Sequence, residues 1–164
     1  MGTGHSKAPD NKEVGWVAMP GYGKTQGSVK PFPVYTDDCK AGEGPWLDYT
    51  VYVPADQTGS YQLNIFFGQS NDISFFEGKE LNYAIQVNGG SIETKNALTS
   101  GYVAGGNGWY DNITNCGHVM SVGSYSLKAG LNTIRIYAMD QNLLLQGLLA
   151  RVPLEVSVAC PDRS

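Results

Sequence analysis

Aromatic and amide side chains cluster around a glycine-rich stretch that ends at Trp109-Tyr110. Sugar rings present C–H faces that pack on aromatic rings, and their hydroxyls exchange hydrogen bonds with amides. This mixture of residue types predicts a surface that binds polyols, at the loop ends of the domain rather than across a flat sheet. The predicted ligand-binding residues are Trp109, Tyr110, Tyr102, Tyr22, Asn107, Asn115, Lys24, Asn142 and Trp46.

The same aromatic residues could instead pack in a hydrophobic core, because tryptophan and tyrosine bury large apolar surfaces. For Trp109 and Tyr22 the sequence leaves ligand contact and core packing open. Trp16 lies in the apolar segment Gly15–Met19 and is predicted to be a core residue. Three tyrosines at alternating apolar positions are also predicted to face the core: Tyr49, Tyr61 and Tyr83.

Residues for covalent or acid–base catalysis do not form a recognisable set. Of the two histidines, only His118 is a credible catalytic imidazole, and a lone histidine is more often structural. Carboxylates that could act in pairs on a glycosidic bond are scattered along the sequence. We therefore predict that the chain is not an enzyme, and a small hydrolase or esterase is the disfavoured alternative.

A relaxed phosphate-binding motif runs from Ala18 to Thr25 (AMPGYGKT). A true loop of this kind opens a helix whose first N–H groups contact the phosphate. Gly27, Pro31 and Pro33 follow here and oppose a helix. The segment therefore predicts a glycine-rich turn rather than a nucleotide site.

Metal binding and covalent modification have a few candidate residues. The histidines lack metal-ligand spacing, so zinc is not expected. Acidic residues that could hold a structural calcium ion are Asp37, Asp38, Glu43 and Asp140. The three cysteines, an odd number that leaves any disulfide unassigned, are Cys39, Cys116 and Cys160. Asn112-Ile113-Thr114 is an N-glycosylation sequon, which matters only in a eukaryotic secretory pathway.

Composition excludes several classes of protein. The 164 residues are 41% apolar and carry a formal charge of −4, which excludes a disordered chain. No apolar run approaches the ~20 residues of a membrane span. The acidic balance without a basic cluster argues against nucleic-acid binding. Glycine, with 21 residues, is roughly twice its usual share, which suits short strands joined by turns.

Apolar and polar residues alternate with a period of two in several short segments, as in strands with one buried face. The predicted strands are Trp46–Val53, Tyr61–Phe67, Leu81–Val87, Leu131–Met139 and Val152–Val158. Asn88-Gly89 after the third segment predicts a hairpin turn, whereas Asn142–Leu149 fits a helix and a buried strand equally. Together the segments predict an all-β, antiparallel β-sandwich.

The chain shows no composition break that would divide it. We expect a tag or linker over residues 1–12, a single domain over 13–160 and a tail over 161–164. Two long connections, Gly68–Lys79 and Thr94–His118, are expected to be functional or mobile, as long loops in small domains usually are.

Four motifs recur in an order known from a protein family: Gly15–Thr25 (GWVAMPGYGKT), Leu81–Gly90 (LNYAIQVNGG), Gly108–Asn115 (GWYDNITN) and Ser126–Asp140 (SLKAGLNTIRIYAMD). The order resembles the C-terminal domain of family 115 glycoside hydrolases, the xylan α-glucuronidases. The last motif is also similar to carbohydrate-binding modules of families 6 and 35. The resemblance implies a galactose-binding-like jelly roll. It departs at Gln141-Asn142, where the enzyme family has Pro-Gly after the aspartate.

The resemblance and the loop chemistry together imply a non-catalytic carbohydrate-binding module of a secreted, extracellular protein. Its expected ligand is a plant cell-wall polysaccharide, xylan or another hemicellulose. Its expected partner is a covalently linked catalytic module, with no nucleic-acid or membrane partner. The alternative is a structural or dimerisation domain without its own sugar site, with Leu143–Leu149 and Phe75-Phe76 as interfaces.

Overall fold

A computed structural model of the chain describes residues 2–10, 12–34, 38–68, 80–98 and 106–152. Strands dominate these residues. They are β1 (Gly2–Gly4), β2 (Ser6–Lys7), β3 (Glu13–Pro20), β4 (Gly27–Phe32), β5 (Trp46–Val53), β6 (Gly59–Phe67), β7 (Asn82–Val87), β8 (Ile92–Asn96), β9 (His118–Leu127), β10 (Gly130–Ala138) and β11 (Leu145–Arg151). A turn of 3-10 helix, Ala55–Gln57, follows β5, and the α-helix α1 (Asn107–Thr114) precedes β9.

The strands form two antiparallel sheets packed face to face. Sheet I has the order β1-β5-β10-β7-β8, and sheet II has the order β2-β3-β4-β11-β6-β9. In sheet I, Ile134 lies opposite Tyr49 on one side and Val87 on the other. In sheet II, Leu63 pairs with Gly123 and Ala150. The predicted all-β antiparallel sandwich is confirmed.

Alternating residues of both sheets fill the space between them, as the period-2 pattern predicts. In β6 the odd-numbered positions from Tyr61 to Phe67 are all buried. Trp16 is also buried, and its indole N–H donates to the carbonyl of Pro45 at 3.1 Å. Tyr83 packs its ring on Phe67, with centroids 5.2 Å apart. The core predictions for Trp16, Tyr61 and Tyr83 are confirmed, and Tyr49 is half-buried against the same core.

The predicted strands agree with the observed ones to within two residues at each end where the structure describes them. Asn88 and Gly89 form the predicted hairpin turn, with φ angles of 50° and 72°. The ambiguous segment Asn142–Leu149 contributes to a strand, β11, rather than to a helix. Of the last predicted strand, only Val152 lies among the described residues, and it follows β11.

The connection from Thr94 to His118, which was expected to be a loop, contains the helix α1. Its first residues, 94–96, belong to β8. The hydroxyl of Thr114 donates to the carbonyl of Tyr110, and the amide of Asn115 donates to the carbonyl of Asp111. These bonds satisfy carbonyls in the last turn of the helix. Within the part of the chain described above, no helix is long and apolar enough to cross a membrane.

The N-terminal segment differs from the expected tag or linker. Strand β1 pairs with β5, and β2 pairs with β3, so both extend the sheets. Gly4 lies so close to the indole of Trp46 that a Cβ atom there would overlap the ring. Ala8 is buried with Val14 and Cys39. Pairing and close packing therefore make these residues part of the fold. Of the other expected loop, Gly68–Lys79, residues 69–79 lie outside the described residues.

Candidate functional site

Tyr22 and Lys24 lie in the turn between β3 and β4. The N–H of Gly21 donates to the carbonyl of Gln26 at 2.9 Å and closes this turn. Gly21 and Gly23 have φ angles of 75° and 86°, which glycine adopts without steric cost. Because a strand follows, the predicted glycine-rich turn is confirmed, and it lacks the helix that a phosphate-binding loop needs.

Tyr22 lines one side of a small cavity at the end of the sandwich, which we call the loop-end pocket. Its volume is about 130 Å³, and the ring of Tyr22 is 41% exposed. The opposite side comes from the connection between β10 and β11. The lining residues are Met19, Tyr22, Lys30, Gln141, Asn142, Leu143 and Leu144.

The polar side of the loop-end pocket is held by a local turn. The carboxylate of Asp140, which is buried, accepts a hydrogen bond from the backbone N–H of Asn142 at 2.8 Å. This bond fixes the backbone that carries the amides of Gln141 and Asn142. The Oε1 atom of Gln141 is buried and has no hydrogen-bond partner within the described ranges. The pocket thus offers an exposed ring, two amides and the ammonium group of Lys30.

A larger cavity lies beside the β3–β4 turn, between α1 and the outer face of sheet II. We call it the helix cavity, and its volume is about 650 Å³. Its lining residues are Lys24, Thr25, Phe66, Asp111, Asn112, Asn115, Gly117, His118 and Val119. Lys24 and Asn115, two of the predicted ligand-binding residues, therefore meet here rather than beside Tyr22.

Two buried polar atoms in the lining of the helix cavity lack partners among the residues the structure describes. They are the Nδ2 atom of Asn112 and the Nδ1 atom of His118. The Nε2 atom of His118 lies 2.6 Å from the carbonyl oxygen of Ala97. A carbonyl only accepts, so Nε2 carries the proton and Nδ1 is an acceptor. Burial lowers the pKa of His118, which favours this neutral form.

Gln146 joins the β3–β4 turn to the end of α1. Its Oε1 accepts from the backbone N–H of Thr25 at 3.2 Å, and its Nε2 donates to the carbonyl of Cys116 at 2.7 Å. One side chain therefore sets the spacing between the turn and the helix. The β3–β4 turn, which carries Tyr22 at the loop-end pocket and Lys24 and Thr25 at the helix cavity, is thereby tied to the end of α1.

Comparison with known families identifies the domain. A sequence profile described as "Glycosyl hydrolase family 115 C-terminal domain" matches residues 2–152. The chain belongs to this family. A search of curated protein sequences gave no match.

Solved structures show which fold this family 115 C-terminal domain adopts. A family 35 carbohydrate-binding module from Clostridium thermocellum is 20% identical, with 92% of each chain covered and a TM-score of 0.56. The family GH115 4-O-methyl-α-glucuronidase BtGH115A is 15% identical, with a TM-score of 0.60 over 84% of this chain and 16% of that one. A CBM35 from Paenibacillus barcinonensis is 15% identical, with 93% and 100% covered and a TM-score of 0.51. The predicted galactose-binding-like jelly roll is confirmed.

Several of the other predicted ligand-binding residues of this family 115 domain lie on α1 or at its end. Asn107 and Trp109 are part of α1, but the described residues do not extend to their side chains. Tyr110, on the same helix, is 57% exposed, and Tyr102 lies outside the described residues. The amide of Asn115 donates to a helix carbonyl, so part of its hydrogen-bonding capacity is used within α1.

Trp46 lies on sheet I, whereas the strands beside both cavities belong to sheet II. The guanidinium of Arg135 stacks on its ring at 3.9 Å, and Gly4 covers the indole. Arg135 also forms a two-pronged ion pair with Asp48, with N–O distances of 2.7 and 2.8 Å. This arrangement raises the pKa of Arg135 because Asp48 stabilises the charged form. Trp46 lines neither cavity, so the structure does not bring it together with Tyr22, Lys24, Asn115 or Asn142.

Two of the four candidate calcium ligands line the same cavity. Asp38 and Glu43 line a cavity of about 450 Å³ beside Cys39, Asp140 supports the loop-end pocket, and Asp37 lies outside the described residues. No group of three or more acidic, histidine or cysteine residues that could hold a metal occurs in the described ranges. The calcium ion stays a prediction.

The structure describes two of the three cysteines and the whole sequon. Cys39 and Cys116 carry free thiols, and Cys160 lies outside the described residues. Burial and the nearby carboxylates of Asp38 and Glu43 raise the pKa of Cys39, so its thiol is protonated at neutral pH. Asn112 of the sequon is only 6% exposed and lines the helix cavity, so it is not displayed on the open surface.

The leucine-rich segment Leu143–Leu149 is mostly internal, contrary to its proposed use as an interface. Leu143, Leu144 and Leu145 are buried, and Leu149 is 44% exposed. Phe75-Phe76, the other proposed interface, lies outside the described residues. Leu145 and Leu148 of β11, which lies between β4 and β6 in sheet II, pack against the core between the sheets.

Sequence reasoning missed several residues of the two cavities. Lys30 on β4 and Gln141, the neighbour of Asn142, were not singled out for ligand contact. His118 was interpreted as a lone, structural imidazole, and Asn112 as part of the sequon and of the polar stretch around Trp109. The local signal for Asn112 was its position between Asn107 and Asn115, but nothing local shows that its amide is buried without a partner.

Proposed function

We propose that this family 115 C-terminal domain is a non-catalytic carbohydrate-binding module that holds a covalently linked catalytic module on plant cell-wall polysaccharide outside the cell. The proposed ligand is xylan or another hemicellulose. The observation that carries this proposal is the loop-end pocket, where Tyr22 meets Lys30, Gln141 and Asn142.

The chemistry of the loop-end pocket suits a sugar ring. The exposed face of Tyr22 can pack on the C–H face of a pyranose, while the amides of Gln141 and Asn142 exchange hydrogen bonds with hydroxyls. A ligand donor would also satisfy the buried Oε1 atom of Gln141. The volume of about 130 Å³ is small beside the pockets of drug-sized molecules and suits one sugar unit of a chain.

The composition of the pocket lining supports binding without hydrolysis. Glycosidic hydrolysis uses a pair of carboxyl groups on either side of the bond. The described residues that line the loop-end pocket include no carboxylate, and Lys30 supplies the formal charge.

The family relationship supports the linkage to a catalytic module, and the shared fold with family 35 modules supports sugar binding. BtGH115A is described as having specificity for decorated arabinogalactans, which makes arabinogalactan a useful rival ligand.

Affinity electrophoresis through gels that contain xylan, xyloglucan, β-glucan, pectin or arabinogalactan tests the proposal. We expect xylan or another hemicellulose to retard the wild-type domain, and Tyr22→Ala to weaken binding by at least about tenfold, as for an aromatic hot spot. Tyr52→Ala is the matched control, because Tyr52 is 68% exposed on sheet I and lines neither cavity. Migration unaffected by every polysaccharide would refute the proposal.

A further inference from the structure

We propose that the helix cavity is a second sugar-binding site, in which the side chains of Asn112 and His118 bind hydroxyl groups of a neutral glycosyl unit. The proposal rests on the proposed function and extends it from one site to two. It starts from the two buried atoms without partners, Nδ2 of Asn112 and Nδ1 of His118.

Asn112 has an unused donor in a place where that is costly. The residue is 6% exposed, and its backbone carbonyl accepts from the N–H of Gly117 at 2.8 Å. The side-chain Nδ2 atom has no partner in the described part of the chain. A buried, unpaired donor lowers stability relative to one that is satisfied. A ligand acceptor in the cavity would remove this penalty.

His118 supplies the complementary acceptor. Its Nε2–H donates to the carbonyl of Ala97, and its ring lies 5.8 Å from the ring of Phe67, so the imidazole has a fixed orientation. The second nitrogen, Nδ1, therefore presents a lone pair. No described residue donates to it.

This pair of atoms selects for a hydroxyl group. A hydroxyl donates one hydrogen bond and accepts others, so hydroxyl groups can satisfy both Nδ1 of His118 and Nδ2 of Asn112. A carboxylate or phosphate oxygen would accept from Asn112 but leave His118 without a donor. An ammonium group would donate to His118 but leave Asn112 without an acceptor.

The rest of the lining favours a neutral ring with an apolar face. Phe66 and Val119 extend along the outer face of sheet II, and Val119 is 61% exposed. Lys24 and Asp111 contribute one positive and one negative charge, so the formal charges of the lining cancel. A sugar unit can place its C–H face on Phe66 and Val119 while its hydroxyls reach the polar side.

The helix cavity and the loop-end pocket lie on opposite sides of the β3–β4 turn. Tyr22 faces one and Lys24 and Thr25 line the other, and Gln146 fixes Thr25 to the end of α1. Two sites with fixed spacing on one domain can bind one polysaccharide chain together. Such linked binding raises the affinity for the polymer above that for a single sugar unit.

Nuclear magnetic resonance of the ¹⁵N-histidine-labelled domain, titrated with xylohexaose, tests the second site. The chain has two histidines, so exposed His5 is an internal control for His118. We expect the Nδ1 resonance of His118 to shift in the wild type and in Tyr22→Ala, and to stay in place in Asn112→Leu. Val119→Arg, an exposed substitution that fills the cavity without disturbing the core, should also abolish the shift.

Binding to polymeric xylan provides the second readout. We expect Asn112→Leu and Val119→Arg each to weaken xylan binding by about tenfold or more through loss of bivalent attachment, with melting curves confirming that both fold. Wild-type binding to xylan without a His118 shift, together with unchanged binding by both variants, would show that the cavity holds water and would overturn the second site alone. Wild-type binding to no polysaccharide would overturn the proposed function as well.

Discussion

Two buried asparagines of this domain have opposite hydrogen-bonding states. Asn132, fully buried at the start of β10, makes four side-chain hydrogen bonds: it donates to the carbonyls of Lys128 and Gly130 and accepts from Lys128 N–H and the amide of Asn88. Asn112, on α1, is almost as deeply buried, yet its Nδ2 atom has no partner in the described residues.

The difference separates a structural role from a binding role. A buried amide whose donors and acceptors are all used holds the backbone around it, as Asn132 holds the β9–β10 turn. A buried amide with an unused donor adds nothing to that framework and lowers stability until something accepts its hydrogen bond. We therefore expect substitutions at Asn132 to affect folding and substitutions at Asn112 to affect binding.

Replacing Asn132 with leucine should give the largest effect. Asn132→Leu leaves the N–H of Lys128 and two turn carbonyls without partners in a buried site, so the free energy of unfolding should fall by about 3 kcal/mol. Urea denaturation followed by tryptophan fluorescence measures this loss. The control is Asn88→Gly, which keeps the positive-φ turn and removes an exposed partner; its cost should stay below about 1 kcal/mol. A loss at Asn132 no larger than that of the control would contradict the structural role.

The ion pair on sheet I extends the comparison to charged groups. Asp48→Ala removes the partner of Arg135, whose side chain is 31% exposed, so water can replace part of the lost interaction. We expect unfolding free energy to fall by about 1–2 kcal/mol, less than for a fully buried pair. Asp56→Ala, in the exposed 3-10 helix, is the control and should change stability by under about 0.5 kcal/mol. Equal effects of the two substitutions would mean that the ion pair between Arg135 and Asp48 contributes nothing to stability.

The sequence predicted the sheets better than the site, for reasons that these residues illustrate. Alternation along β6 depends on neighbouring residues alone, and Asn88-Gly89 encodes its own turn. By contrast, Tyr22 and Asn142 were both predicted to bind ligand, but they meet only because β4 and β11 are neighbours in sheet II. The helix α1 was missed because glycines surround a single short amphipathic segment. Whether Asn112 is paired depends on every element around it, and no local pattern records that.

Replacing Asn112 with leucine should leave stability nearly unchanged. Asn112→Leu keeps the branched shape of the side chain and removes an unpaired donor, so the unfolding free energy should stay within about 0.5 kcal/mol of wild type or rise. Thr114→Ala on the same helix is the matched control: it removes a hydrogen bond to the carbonyl of Tyr110 and should lower stability slightly. Urea denaturation of both variants checks this. A loss at Asn112 approaching that at Asn132 would show that the amide has a structural partner.

The smallest expected effect is a pH dependence at His118. Because burial lowers its pKa in the folded state, the unfolded chain binds the proton more readily. The stability that neutral His118 contributes is therefore complete above its unfolded pKa of about 6.5 and is lost as the pH falls from there towards the folded pKa. Lys24 and Asp111, the charged residues that line the same cavity, oppose each other's influence on the ring.

His118→Phe removes this titration while keeping an aromatic ring against Phe67. Between about pH 7.5 and 5.5, the unfolding free energy of the wild type should fall more steeply than that of His118→Phe. Val119→Ala, a neighbouring substitution without a titrating group, should keep the wild-type slope. Urea denaturation at several pH values measures the three slopes. If His118→Phe keeps the wild-type slope, burial does not hold His118 in its neutral form in the folded state.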